Sequence, residues 1–426
     1  LGEFDQILLA IPSLNFNTRK SIIDSLLKFN IPVLQIPSLQ DILTGEKNIG
    51  SLKPISINDL LCRDIVPPFK DLLEENINNS VVLVTGGAGS IGSELCKQIM
   101  ALKPSKLIVI DNCEPNLYKL IQEIQDISEG VIVENILGNV LDLELLEKIF
   151  SEQSIDTVFH SAAYKHVPLL EDNPLSGVEN NVIGTKNVCS VARFSGVKKF
   201  LLISTDKAVR PTSVMGASKR VAELIVQAFA SDVAKQPSNS KLTKTCYSIV
   251  RFGNVLGSSG SVVPLFQKQI SSGGPITLTD KNIIRYFMTI KEASQLVLQA
   301  CSLSRGGDFF LLDMGKPVSI QYLAEQMVRL SGLTIKNDKN PDGDIEIVVT
   351  GLRPGEKLYE ELLICTESKP TEHPLIFKAN EEFYQPSELW PIIEELEKFL
   401  REKDTISSLD IVKKLVPEWK RSKDKK

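Results

Sequence analysis

The sequence predicts an α/β chain built on a doubly wound parallel sheet, and three observations predict it. Short apolar runs at 81–85, 107–110, 131–137, 156–160 and 199–204 are separated by stretches of helical character. Apolar strands joined by helices belong to parallel sheets covered on both faces. The first run ends in a glycine-rich turn, Gly86-Gly87-Ala88-Gly89-Ser90-Ile91-Gly92, with a helix expected over 93–102. The second run ends on an acid, Asp111, roughly the separation that such a turn and its ribose-binding acid keep.

Around this sheet the chain reads as three parts. Residues 1–79 give a strand (7–11), a helix (18–29), a strand (32–36) and a loop-rich connector, a partial N-terminal α/β domain without a phosphate loop and so structural or regulatory. Residues 80–365 form the sheet domain. Within it 253–365 is expected to be a smaller C-terminal substrate-binding subdomain, with Gly, Ser and Pro clustered at 253–275, then a helix (291–304), a strand (308–312) and a helix (319–331). Residues 366–426 read as a helical tail, acidic and then basic over 420–426, a solvated or frayed end. The chain opens on Leu1-Gly2-Glu3-Phe4 and runs at once into a strand, which reads as a piece of a longer protein.

Composition narrows the function. With 42% hydrophobic and 24% charged residues, the 426-residue chain has the balance of a soluble globular protein. A net charge of -5 gives no reason to expect nucleic acid as a partner. Seven scattered cysteines read as reduced thiols of a cytoplasmic compartment, and three dispersed histidines argue against a metal site. No apolar run approaches the roughly 18 residues that span a bilayer.

The glycine turn carries the first chemistry. Gly86, Gly89 and Gly92 allow a tight turn and a close backbone approach, and the amides of Ser90 and Ile91 open a helix whose positive end suits a pyrophosphate. Asp111 would accept hydrogen bonds from the adenosine ribose and repel a 2′-phosphate, so the Rossmann-type sheet is expected to take NAD. Asn139 and Val140, after the third strand, are expected beside the adenine.

The second constellation is Ser204-Thr205-Asp206-Lys207 at a strand end, followed by Met215-Gly216-Ala217-Ser218-Lys219 opening a helix. Met215 and Lys219 are one turn apart and should point to the same region. Val221, Leu224, Ile225, Ala228 and Phe229 make one apolar face of that helix.

The order of the glycine turn, His160-Ser161-Ala162-Ala163, Ser204-Thr205-Asp206 and a helical x-x-x-Lys resembles the extended short-chain dehydrogenases that process nucleotide sugars. That family usually has Tyr-x-x-x-Lys, and here Met215 stands at the tyrosine position. Further motifs resemble one subfamily: Tyr164-Lys165-His166-Val167-Pro168-Leu169-Leu170-Glu171, Val214-Met215-Gly216-Ala217-Ser218-Lys219-Arg220, Arg251-Phe252-Gly253-Asn254-Val255-Leu256-Gly257-Ser258 and Leu352-Arg353-Pro354-Gly355-Glu356-Lys357. It is the bacterial UDP-N-acetylglucosamine 4,6-dehydratases of polysaccharide and glycan biosynthesis in their long, membrane-anchored form, where methionine at this position is usual.

The resemblance implies an NAD-dependent lyase that oxidises C4 of a UDP-N-acetylhexosamine, eliminates water across C5 and C6, and returns the hydride to C6. Asp206 would be the acid for the C6 hydroxyl, Lys207 the base for the C5 proton, and Thr205 a hydrogen-bond partner of the C4 oxygen. Lys219 would hold the nicotinamide ribose, Ala162 and Ala163 would line the cofactor, and Met215 would shape the site. Lys165 and His166 would edge the sugar, and Asn254, Arg285 and Arg353 would bind the diphosphate. Met215 favours retention at C5, since the inverting type keeps the tyrosine. By analogy the protein forms a homo-oligomer, with its parent at the cytoplasmic face of the bacterial inner membrane through segments absent from this chain. The rival readings are a UDP-N-acetylhexosamine 4-epimerase and a catalytically inactive NAD-binding scaffold.

Overall fold

The computed structural model of the chain describes residues 4–11, 14–29, 31, 33–36, 53–61, 63, 66–125, 127, 130–237, 244–362 and 368–421. Pro32, the connector over 37–52, Cys62, Cys365 and the basic residues 422–426 lie outside the described residues. The chain divides into two compact units. The larger comprises Pro67–Gly253, Ile290–Asp313 and Arg353–Lys426, and the smaller Leu1–Val66, Asn254–Thr289 and Met314–Leu352.

The larger unit holds a nine-stranded sheet. Its strands are β1 (Val81–Thr85), β2 (Lys106–Asp111), β3 (Ile132–Leu137), β4 (Thr157–His160), β5 (Lys199–Thr205), β6 (Cys246–Phe252), β7 (Asp308–Leu312), β8 (Ser368–Pro370) and β9 (Ile376–Ala379). Its main helices are α1 (Ser90–Ala101), α2 (Glu114–Gln125), α3 (Leu143–Glu152), α4 (Gly184–Phe194), α5 (Val214–Ala234), α6 (Ile290–Leu303), α7 (Pro386–Arg401) and α8 (Thr405–Leu415). In space the strands run β8-β9-β7-β6-β5-β4-β1-β2-β3, with β1 to β7 parallel and β9 and β8 antiparallel additions at one edge. The order 3-2-1-4-5-6 is that of a Rossmann sheet, as the apolar runs predict. It reverses between β1 and β4, and ligands of such sheets bind at that switch point, beyond the carboxyl ends of the strands.

Two sequence expectations are corrected here. Over its described residues, 368–421, the tail is not a frayed end: β8 and β9 extend the sheet, and α7 and α8 pack on the core. Leu389, Ile393, Leu396 and Leu400 form a buried stripe at helical spacing on α7, and Trp419 is buried beyond α8. The many acids of α7 face away from that stripe and mask it in the composition. This packing also changes α5. Its apolar face was expected to be one-sided, yet residues 214–229 are buried throughout because α7 and α8 add a second cover.

The second correction concerns 253–365, which is not a contiguous subdomain. Strand 308–312 lies parallel to β6, joined by the crossover helix α6, and so belongs to the large sheet.

The smaller unit contains the N-terminal β-α-β element, with Ile7–Leu9 parallel to Val33–Gln35 across the helix Phe16–Leu26. Lys53–Pro54 pairs antiparallel to the second of these strands. Its other described pairs join Asn254–Val255 to Phe287–Met288, Ile276–Leu278 to Ile345–Val349, Ile335–Lys336 to the start of that same strand, and Ile284–Arg285 to Val318–Ser319. Tyr322, on the helix Ile320–Leu330, donates to Asp24 at 2.9 Å and so ties the N-terminal element into this unit. Among the described residues no helix is long and apolar enough to cross a membrane.

Candidate active site

The glycine turn follows β1 at the switch point. Gly86 has φ +63°, a left-handed conformation, and a side chain on it would lie 2.6 Å from the backbone of Ala162. The loops after β1 and β4 therefore touch. A side chain on Gly92 would meet the carbonyl of Gly86 at 2.1 Å, so this glycine lets α1 close on the turn. Helix α1 starts at Ser90, three residues earlier than expected, with no side-chain cap and no acid in its first turn. The chain leaves the positive end of α1 for an anion to neutralise. Asp111 is buried at the end of β2, where it accepts from the amide of Ala88 at 2.9 Å and from that of Cys113 at 2.9 Å. Each carboxylate oxygen keeps a second lone pair for a ribose hydroxyl, so Asp111 both braces the turn and can read the ribose. These residues fit NAD.

The adenine expectation fares differently. Asn139 spends its side-chain oxygen on the amide of Leu141 at 3.0 Å, and Val140 is a core residue packed against Gly184. Their side chains fix the turn after β3.

His160 braces the floor of the site. Its Nδ1 lies 2.7 Å from the Thr85 hydroxyl and its Nε2 3.0 Å from that of Thr185, which donates to the carbonyl of Asn181 at 2.7 Å. Thr185 can then only accept from His160, so the proton sits on Nε2 and Thr85 donates to Nδ1. The pKa of His160 is pushed down to about 3, first by burial and then by the charge of Lys219. Unfolded, it titrates near 6.5. Between those values the unfolded chain binds the extra proton, so His160 weakens the fold progressively as pH falls from about 6.5 toward 3. At pH 4.5 the loss is about 3 kcal/mol. Denaturant midpoints of wild type and His160→Gln across pH 4.5–7 test this: the variant's curve should be flatter, and parallel curves would exclude His160 as the source.

The Thr205-Asp206-Lys207 turn follows β5. Asp206 is buried, and its Oδ1 accepts from the Thr205 hydroxyl and from Lys207 Nζ, both at 2.9 Å. Its Oδ2 is buried with no hydrogen-bond partner among the described residues, an acceptor awaiting a donor. A side chain on Gly216 would lie 2.2 Å from the carbonyl of Lys207, so glycine lets the start of α5 rest against this turn. Met215 and Lys219 are both buried on α5, and Lys219 Nζ donates to the carbonyl of Ile203 at 2.8 Å. Burial lowers the Lys219 pKa to about 8, an effect that Glu223 opposes. Lys165 lies within electrostatic reach of the turn: its pKa is lowered by lost hydration and then by the charge of Lys207. That of His166 is lowered by burial and then by Lys165.

The expected diphosphate residues divide between the units. Arg353 is exposed in the larger unit, with its amide donating to Glu356 at 3.1 Å. Asn254 and Arg285 belong to the smaller, where Arg285 is buried and donates to the carbonyl of Ile284 at 2.8 Å.

Four supporting residues were missed in the sequence. Asn181, in a π-helical turn, bonds both ways with the backbone of Tyr164, at 2.8 and 3.0 Å, and donates to Ser218 at 3.0 Å. Glu171 accepts from the amide of Val214 at 2.7 Å at the start of α5. Glu223 accepts from Ser204 at 2.6 Å, beneath the Thr205-Asp206-Lys207 turn. Glu360 lies 4.0 Å from Lys207 Nζ.

Fold and site together define a dinucleotide-binding protein of the extended short-chain dehydrogenase type. The chain belongs to the polysaccharide biosynthesis protein family, which matches residues 82–381. It is 42% identical over 403 residues to the capsular polysaccharide biosynthesis protein CapD of Staphylococcus aureus, covering 93% of this chain and 64% of that protein. The chain thus spans less than two thirds of that relative's length. A UDP-N-acetylglucosamine 4,6-dehydratase (inverting) of Campylobacter jejuni and a UDP-glucose 4-epimerase of Rickettsia bellii are each 31% identical, over 69% of this chain and 80% of their own length. Among solved structures, Pen from Bacillus thuringiensis matches with a TM-score of 0.62 at 32% identity, over 75% of this chain and 98% of its own.

Proposed function

We propose that the chain is an NAD-dependent 4,6-dehydratase for a UDP-N-acetylhexosamine, UDP-N-acetylglucosamine in the first instance, serving bacterial glycan or polysaccharide synthesis. The observation that carries this reading is the acid and base on one turn: buried Asp206 and adjacent Lys207, 2.9 Å apart, beside Lys219. Bound NAD would supply a hydride acceptor and donor for C4 and C6. The glycine turn, Asp111 and Lys219 would hold it.

The chain's own residues do the proton work. Thr205 and Lys219 orient the C4 oxygen and the ribose, and the C4 hydroxyl gives up its proton to a water held by Thr205 as C4 is oxidised; that proton is the one Asp206 regains after the elimination. Once C4 is a ketone, the C5 proton is acidic: Lys207 takes it, the C5–C6 double bond forms, and the C6–O bond breaks as Asp206 protonates the leaving hydroxyl to water. The Lys207 ammonium then returns a proton to C5 as the hydride reaches C6. This sequence starts from a carboxylic acid and a neutral amine. The pair at rest, carboxylate and ammonium, holds the same single proton, so one transfer across 2.9 Å from Nζ to Oδ1 arms both groups. Exclusion of water by the sugar favours that neutral pair, because burial penalises the charged forms.

Lys165 and His166 would edge the sugar, and Arg353 would supply a guanidinium for the diphosphate, with Asn254 and Arg285 proposed for the same ligand. Met215 leaves no phenol at the position the inverting type uses, which supports retention at C5. The family resemblance also carries attachment of the parent protein to the cytoplasmic face of the bacterial membrane, which fractionation of the full-length protein tests.

The test is incubation of the NAD-loaded chain with UDP-N-acetylglucosamine in deuterated water, read by mass spectrometry. Loss of one water with deuterium at C5 is expected. The second reading, a 4-epimerase, is favoured by the Rickettsia relative's name and yields an isomer of unchanged mass. Such an isomer overturns the dehydratase.

A further inference from the structure

Residues 353–361 lie as a strap along the catalytic turn. Thr212 donates to the carbonyl of Gly355 at 2.7 Å, Lys357 Nζ to that of Val209 at 2.7 Å, and Arg210 to both carboxylate oxygens of Glu361 at 2.9 Å. Gly355 is left-handed, and a side chain on it would come within 2.8 Å of Ser213. These contacts fix the register of the strap. They also place a buried carboxylate, Glu360, 4.0 Å from Lys207 Nζ and 3.7 Å from Lys357 Nζ.

We propose that Glu360 is a positioning residue for the elimination step, a second carboxylate that holds Lys207 beside Asp206 without itself reacting. The proposal rests on the reading of Lys207 as the base at C5. Packing alone does not account for a carboxylate here. The strap is already tied at three other residues, and burying a charge costs several kcal/mol that an apolar side chain would avoid. Asp206 exchanges its proton during the reaction, so it cannot fix the amine at every stage. Glu360, held by Lys357, can.

The arrangement also sets the charge around the pair. Lys207 meets Asp206 on its own turn, Glu360 and Lys357 on the strap, and Lys165 from the loop after β4. Nearby, Arg210 and Glu361 neutralise each other, and Glu171 is engaged with the amide of Val214. A negative charge at Glu360 favours the protonated form of both members of the Asp206–Lys207 pair, and the positive charge of Lys357 opposes it. The pH profile of activity belongs to the pair as a unit.

The experiment compares Glu360→Gln, Glu360→Asp and Lys357→Met with wild type in the NAD-loaded chain. It reads kcat, KM, bound NAD, and the pH profile of water loss from UDP-N-acetylglucosamine. In Glu360→Gln, kcat should fall on the order of 10–100-fold with KM and NAD content held, as for a catalytic group displaced by a fraction of an ångström to an ångström. Both limbs of its pH profile should move to lower pH. Glu360→Asp should restore part of the rate, and Lys357→Met should move both limbs to higher pH. Shifts of opposite sign are what a merely structural role does not produce. Wild-type turnover with an unmoved profile in both charge variants overturns this role alone. A wild type that removes no water overturns the dehydratase reading and takes this role with it.

Discussion

Asp206→Asn is expected to slow water loss by on the order of 10²–10⁴-fold, the usual worth of a positioned general acid, while the chain keeps its fold and its cofactor. The substitution is close to isosteric. The amide retains one oxygen for the two donors that share Oδ1, the Thr205 hydroxyl and Lys207 Nζ, each at 2.9 Å. Its nitrogen takes the place of Oδ2, the buried oxygen that has no partner among the described residues. What is lost is the proton for the departing C6 hydroxyl, since an amide has none to give at neutral pH. Lys207 and Thr205 remain, so oxidation at C4 should still proceed, and reduced nicotinamide should accumulate on addition of the sugar nucleotide. Stopped-flow absorbance for the oxidation and mass spectrometry for water loss separate the two stages. An epimerase has no use for an acid at C6, so a variant that still interconverts isomers at the wild-type rate would sink the role given to Asp206. Dehydration at the wild-type rate would do the same.

What could be read in the sequence were features local to it. The five apolar runs became β1 to β5 within one or two residues at each end, and the alternation with helices gave the parallel order. Gly86 and Gly92 are informative because backbone atoms leave no room for a side chain at either, and the Thr205-Asp206-Lys207 turn is contiguous, so its members meet without help from the fold. Asp111 was legible because a strand end at a fixed distance from the turn brings it there.

The rest depends on contacts between distant segments. Glu360 reaches Lys207 across the strap, and nothing near residue 360 distinguishes it from the neighbouring Glu361, which is exposed and paired with Arg210. The tail was misread because its charges outnumber its apolar stripe, and because α5 looks one-sided until α7 and α8 cover it. Strand β7 was assigned to a separate subdomain because the segment before it is loop-rich, whereas its place depends on pairing with β6.

Glu223 marks where that hidden layer should have its largest effect on stability. It is fully buried on α5 and accepts from Arg251 Nε at 3.1 Å, Arg251 Nη2 at 2.7 Å, Arg220 at 3.1 Å and Ser204 at 2.6 Å. Arg251, itself fully buried, continues to Glu381 and to the carbonyl of Leu362, both at 2.9 Å, and stacks over Phe309. Burial alone would raise the carboxyl's pKa, but Arg251 and Arg220 overcome it and hold the carboxyl below its usual value. Glu223→Gln keeps the shape and removes the charge, leaving two buried guanidinium groups with too little negative charge between them. Removing one partner of a buried ion pair costs about 3–5 kcal/mol, so the melting temperature should drop by several degrees or more. Glu397→Gln, which breaks the more exposed pair with Lys186, should cost less than about 1 kcal/mol. Ser204 joins the network directly to the catalytic turn, so Glu223→Gln should also lower kcat at temperatures where the variant is fully folded. Thermal unfolding and turnover of both variants test this, and a Glu223→Gln protein no less stable than Glu397→Gln would mean that the network is not what holds α5 against β5 and β6.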